Sequence, residues 1–207
     1  MEYIEPLIKP FVLYFVVIDP IGTIALFLTV LPNIKEKKTT VAYEGTFYAF
    51  LILLFFLFFG RFVLNHLNIS IYSFKIAGGI ILLLISIEML FNKRAQRREK
   101  FMKNEKVFSS IFPLAIPLLA GPAAITSVIV SASSIKENYF TTILYDIISL
   151  FLVLLITLVM FLITIKYEKF INTKFLQVFS RIIGILLCAL SIQFILDGIF
   201  IYFNTIN

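Results

Sequence analysis

The chain has no tryptophan, one cysteine and one histidine in 207 residues. Cys188 lies inside an apolar run, so no disulfide can close within the chain, and no CxxC or Cys/His cluster offers a metal site. It reads as a small packing residue, and so does His66, at the end of another apolar run. Charge is scarce as well: Asp, Glu, Lys and Arg together make up 14% of the chain. The longest polar stretch is NKRAQRREKFMKNEK, Asn92–Lys106, too short for a domain and read as a solvated loop. The formal net charge of +6 is therefore a property of loops. That speaks against nucleic-acid binding, because no folded polar domain carries a basic face. Nucleotide-binding motifs, HExxH and a Ser/His pair at plausible depth are all missing, so no catalytic residue and no enzyme activity are expected. The start, MEYIEPLIKP, is acidic and no A-x-A site follows the first apolar run, so that run is expected to remain in the mature protein.

What the chain does have is apolar sequence. Hydrophobic residues make up 60%, with 24 phenylalanines and a mean hydropathy of +1.01, against roughly 45–50% apolar residues in a soluble domain. A helix needs about 20 apolar residues to cross a bilayer core. Six runs qualify, at about 8–31, 42–64, 71–91, 108–132, 141–165 and 178–203. The expected fold is thus an all-α membrane protein of six transmembrane helices forming one transmembrane domain over 1–207. Lysine and arginine set its orientation. Lys35, Lys37 and Lys38, the Asn92–Lys106 loop, and Lys166, Lys169, Lys174 and Arg181 fall on one side; Lys9, Arg61, Lys75 and Lys136 fall on the other. The richer side is cytoplasmic, which puts both the N- and C-termini outside. The expected location is the plasma membrane of a prokaryote, the inner membrane if Gram-negative.

The two halves resemble each other. GIILLLISIEMLF from Gly79 and GILLCALSIQFIL from Gly184 align at a shift of 105, matching Gly79 with Gly184, Ser86 with Ser191 and Glu88 with Gln193. VIDPIG, Val17–Gly22, aligns more weakly with LAGPAA, Leu119–Ala124, with Pro20 opposite Pro122. Three spans per half is an odd number, so the second half would enter the membrane with opposite topology, as in many transporters. Repeat one covers about 1–92, the cytoplasmic loop about 92–107 and repeat two about 108–207.

The aligned breakers fall at the middle of spans one and four, hence near the bilayer midplane. Pro20 removes a backbone donor and pushes Asp19 out of helical geometry, and Gly22 permits backbone that other residues resist. Pro113, Pro117, Gly121 and Pro122 do the same in span four. A broken helix exposes N–H and C=O groups that must be satisfied by protein, water or ligand. Its free N-terminal ends attract anions and its freed carbonyls attract cations. Two facing breaks suit a small zwitterion. Asp19 is the sharpest residue, because an acid costs about 2.5–3.5 kcal/mol at a membrane centre on insertion scales. Contact with a cationic group and reversible protonation are its two candidate roles. Thr23 and Thr126, one turn beyond the breaks, are read as helix caps, ligand contacts or back-bonded hydroxyls. Ser86, Ser191 and Gln193 are read as interhelical contacts, with Gln193 also a candidate to line the site. Glu88, Asp146 and Asp197, near span ends, are read as solvated at the interface. Ala77, Gly78, Gly79, Ala120, Ala123, Ala124 and Gly184 would let backbones approach closely.

FVVIDPIGTIALFL, FKIAGGIILLLISIEML, FPLAIPLLAGPAAITSVIV and RIIGILLCALSIQFILDGI together resemble the MarC family of integral membrane proteins. The resemblance runs the length of the chain, departing at Ala123–Ala124, where AGPGA is expected. Some family members look like transporters of small neutral amino acids such as glycine and alanine, the SnatA type. The resemblance implies two broken helices forming a shared substrate site from Asp19, Pro20, Ile21, Gly22 and Thr23 on one side and Ala120, Gly121, Pro122, Ala123, Ala124 and Thr126 on the other. The expected function is alternating-access transport of glycine- or alanine-sized amino acids, without cofactor or metal. Coupling to a proton or a sodium ion, and homo-oligomerisation, are left open. The competing readings are a non-transporting membrane factor and an exporter of another small metabolite or drug.

Overall fold

A computed structural model describes residues 5–30, 37–91, 93, 114–133, 139–168, 171 and 173–206. All of its described elements are helical: α1 (Glu5–Ile18), α2 (Pro20–Val30), α3 (Lys38–His66), α4 (Ile71–Leu90), an irregular turn (Leu114–Leu119), α5 (Pro122–Ser133), α6 (Tyr139–Tyr167) and α7 (Thr173–Ile206). Five helical segments are long and apolar enough to cross a membrane: Pro6–Leu28, Lys38–His66, Ile71–Leu90, Phe140–Tyr167 and Phe175–Asn204. They correspond to the first, second, third, fifth and sixth apolar runs. The fourth run is represented by the irregular turn and the 12-residue α5. Its residues 108–113, including Pro113, lie outside the described residues, as do Lys35, Lys136, Lys169 and the Asn92–Lys106 loop except Lys93.

Along α3 the usual placement of bulk is inverted. On α3 the inward residues include Ala42, Gly45, Thr46, Ala49, Leu53, Leu57 and Gly60. Its exposed face is Phe47, Phe55, Phe58, Phe59 and Phe62. Small residues inside allow close helix approach, and phenylalanines outside face a solvent that is itself apolar. That pattern suits lipid rather than water, since a water-soluble monomer rarely exposes so large an apolar area.

The broken pair α1–α2 is the most enclosed of the long apolar segments. It packs on α6, α5 and α7. Outside it, α4 and α7 form the most extensive pairing in the molecule. They run antiparallel, with Tyr72 beside Tyr202 at one end and Met89 beside Gly184 towards the other. Glycines set their separation. A Cβ on Gly79 would stand 2.8 Å from the carbonyl oxygen of Ser191, and one on Gly184 would stand 3.5 Å from that of Ser86. Ser86 and Ser191 themselves donate to Leu83 O and Cys188 O within their own helices at 2.7 and 2.6 Å. The two serines are interhelical contacts through their backbone carbonyls, while their hydroxyls stay intrahelical, because a serine reaches its own preceding turn more easily than a neighbour. Ala77 points outward and takes no part in this interface.

Candidate functional site

At the first break Asp19 is the hinge. Its φ is 54°, in the left-handed region rather than the extended one that a following proline favours. Aspartate tolerates this conformation because its short side chain bonds the local backbone. Asp19 N–H still donates to Phe15 O at 3.0 Å, completing α1, while Asp19 O accepts from Thr23 N–H at 2.9 Å, starting α2. Its Oδ1 accepts from Gly22 N–H at 3.0 Å, which makes Asp19 the N-cap of α2. Pro20, at the first helical position, has no N–H to satisfy. Thr23 Oγ1 donates to Pro20 O at 2.8 Å, so of its three readings the back-bonded one is observed.

The carboxylate is 2% exposed. Oδ2 accepts from Ser180 Oγ on α7 at 3.1 Å. The missing side chain at Gly22 makes this possible: a Cβ there would overlap Oδ2 and stand 2.8 Å from Ser180 Oγ. Glycine is required here by space, not by φ. Ser180 was not visible as a site residue in the sequence. A serine within an apolar helix has no local signature, and only the fold brings it to a residue 161 positions away.

At the second break the backbone bends at Ile116, with φ −124° and ψ 127°, ahead of a cis peptide to Pro117. Ala120 N–H donates to Ala115 O at 2.8 Å, and Gly121 O accepts from Ile125 N–H at 3.0 Å. Gly121 therefore holds the position before α5 that Asp19 holds before α2, but it has no side chain to cap the N–H groups of Ala123 and Ala124. Ala120, Gly121, Ala123 and Ala124 are buried, whereas Pro122 is exposed. Thr126 is buried with its methyl against Gly78 of α4.

The broken helices cross with their halves reversed: α1 packs on α5, and α2 touches the irregular turn. The breaks thus supply two helix N-termini of unlike character. One is capped by a buried carboxylate, and the other follows a glycine that has no side chain to cap it. Ile21 and Gly22 are half-buried beside Asp19. Gln193 lies elsewhere. Its side chain is exposed, and Nε2 donates to Asp197 Oδ1 at 2.7 Å. Asp197 also faces Lys75 Nζ at 3.9 Å, so these three form a polar chain along the α4–α7 surface.

A second acid is buried in the bundle. Asp146 is 1% exposed, correcting the expectation of interface solvation: its position along α6 indicated depth, but not which face it occupies. Tyr14 Oη donates to Asp146 Oδ1 at 2.6 Å, and Ser131 Oγ donates to the same oxygen at 2.7 Å. Glu88 is half-buried. No group of three or more His, Cys, Asp or Glu side chains converges among the described residues. An apolar groove between α3 and α6, lined by Tyr43, Phe47, Phe50, Phe151 and Leu155, opens on the outer surface of the bundle rather than at the breaks.

Comparison with known proteins places this geometry. The model of the MarC family of integral membrane proteins matches residues 4–203. A UPF0056 membrane protein of Buchnera aphidicola subsp. Baizongia pistaciae is 31% identical, over 94% of this chain and 96% of its own. One from Methanocaldococcus jannaschii is 34% identical, over 89% and 91% respectively. One from Aquifex aeolicus is 28% identical, over 93% and 91%. No solved structure matches the chain.

Proposed function

Because the chain belongs to the MarC family of integral membrane proteins, we propose that it is a secondary transporter of small neutral amino acids, of the glycine and alanine class. It works by alternating access in the plasma membrane of a prokaryote. The observation that carries this reading is the unlike character of the helix ends at the two breaks. A zwitterion needs one partner for its ammonium and one for its carboxylate. Asp19 supplies the negative partner, and the N–H groups after Gly121, which has no side chain to cap them, supply donors with a favourable helix dipole. The residues around the second break, Ala120, Ala123 and Ala124, are small, which suits a substrate with little or no side chain. In this reading Pro20, Ile21, Gly22, Thr23, Pro122 and Thr126 shape the cradle, and Gln193 stands outside it.

Two inverted repeats of three spans supply the alternation. The reciprocal packing of Gly79 on Ser191 and Gly184 on Ser86 supports this, because the shift of 105 that relates the glycines also relates the serines. The equal lengths of α3 and α6, 29 residues each, support it too. In this reading the chain makes six spans with both termini outside. Cysteine placed at Asn207 in a Cys188→Ser background should react with an impermeant reagent from the external side; reaction from the cytoplasmic side alone would reverse the topology.

The deciding experiment is uptake of radiolabelled glycine and alanine into proteoliposomes, with counterflow, for wild type and Asp19→Asn. Saturable counterflow that Asp19→Asn abolishes is the expected result. Counterflow that survives the substitution would keep the carrier and remove Asp19 from substrate contact. Folded protein that moves none of the small neutral amino acids would refute the substrate class and leave a non-transporting factor, or an exporter of another small metabolite or drug.

A further inference from the structure

The Asp146 carboxylate is paired on one side only. Oδ1 accepts from Tyr14 and Ser131, whereas Oδ2 is buried and has no hydrogen-bond partner among the described residues. No described basic side chain forms an ion pair with it. The ionisable side chain that contacts it is Tyr14, from α1; α2 and α5 carry no ionisable residue, and α3 carries only Tyr48 between Gly45 and Gly60. An acid inside a membrane bundle with one oxygen left bare is a site for something positive. Tyr14 and Ser131 donate their hydroxyl protons to Oδ1 and fix the carboxylate between them, leaving Oδ2 as the open side. Side chains from three helices thus meet at a single carboxylate. The lack of further acids there matches a monovalent charge better than a divalent one.

We infer that Asp146 holds a small monovalent cation, a sodium ion or a proton, at Oδ2 between α1, α5 and α6. The placement ties this site to both breaks. Tyr14 lies five residues before Asp19 on α1, roughly 7–8 Å along the helix, and Ser131 lies on the helix that begins at the second break. An occupied site fastens α1 to α5 through Asp146, and an empty one leaves an uncompensated charge between them. Ser149, one turn along α6, donates to Leu7 O at 3.2 Å and holds α6 against α1 whether or not the ion is bound. That this cation is the coupling ion rests on the transporter reading above; that it binds does not.

The test is thermal unfolding of the purified full-length protein in detergent. Sodium chloride is titrated against choline chloride at constant ionic strength, the series is repeated across pH, and glycine is added separately. A saturable rise in Tm with sodium that Asp146→Asn removes identifies sodium. A pH-dependent Tm that Asp146→Asn flattens, with no sodium effect, identifies a proton. Should Asp146→Asn fail to fold, Tyr14→Phe and Ser131→Ala keep the carboxylate and remove one oxygen each; either should weaken sodium binding about tenfold or more, or displace the pH midpoint. The inference is overturned when wild type and the variants respond identically to sodium and to pH. A cation response without glycine stabilisation would retain the site and count against the transporter; glycine stabilisation without a cation response would do the reverse.

Discussion

Replacing Gly22 with alanine tests whether the first break is built around Asp19. A Cβ at position 22 would overlap Asp19 Oδ2 and stand 2.7 Å from its Cγ and 2.8 Å from Ser180 Oγ. Overpacking of this kind costs about 1–3 kcal/mol, and losing the Asp19 cap costs about 1 kcal/mol more. Alanine returns about 1 kcal/mol through helix propensity, so the net destabilisation is about 1–3 kcal/mol. The sign should change in an Asp19→Ala background. There the obstructing carboxylate is gone and the Ser180 hydroxyl can turn aside, so Gly22→Ala should stabilise by about 1 kcal/mol. The coupling energy between the two sites is then about 2–4 kcal/mol. The assay is a four-member cycle of denaturant titrations in mild detergent, followed by far-UV circular dichroism. Equal costs of Gly22→Ala in both backgrounds, within about 0.5 kcal/mol, would refute the argument that glycine is there to admit the carboxylate.

Four further substitutions follow from packing and charge, each read from the unfolding midpoint. Gly79→Ala should cost about 1–3 kcal/mol and more than Gly184→Ala, because the atoms facing Gly79 include backbone at 2.8 and 3.1 Å, whereas the nearest atom to Gly184 is the side-chain Cβ of Met89 at 3.0 Å. Gly78→Ala should push α4 off α5 through the Thr126 methyl and should be largely rescued by Thr126→Ser, which removes that methyl; absence of rescue would locate the clash elsewhere. Lys75→Met should change stability by less than about 1 kcal/mol, since its pair with Asp197 is long and half-exposed. Asp197→Ala should cost more, because Lys75 is only 7% exposed and would lose its counter-charge.

The first break was legible in the sequence because its causes are local. Asp, Pro and Gly within four positions carry their conformational consequences with them, and the left-handed Asp19 is a variant of the departure they imply. The positions of five of the six apolar runs were legible for the same reason, since apolar length needs no tertiary information. Residues whose role depends on a facing helix were not. Ser180 looks like any helical serine until α7 is laid against α2. Asp146 illustrates the limit differently: counting from the end of the run estimates its depth, but the phase of the helix decides between lipid, water and interior. For Gln193 the neighbour matters, as Asp197 lies one turn on and accepts from its amide. The similarity of the halves suggested related roles for Ser86 and Ser191, and they do behave alike, through backbone carbonyls that pack on glycine rather than through their hydroxyls.

The glycine contacts between α4 and α7 have a mechanical consequence. Each helix rests a bare backbone position on the main chain of the other, at two levels about two turns apart. Sliding by one residue would bring a side chain where only hydrogen fits, at both levels together. The pair is therefore keyed, and it stands as a strut beside the broken helices. Ser180 projects from that strut to Asp19. Any swing that parts α2 from the strut must break the Ser180 hydrogen bond to Asp19 Oδ2, so the position of a whole helix pair bears on one acidic oxygen.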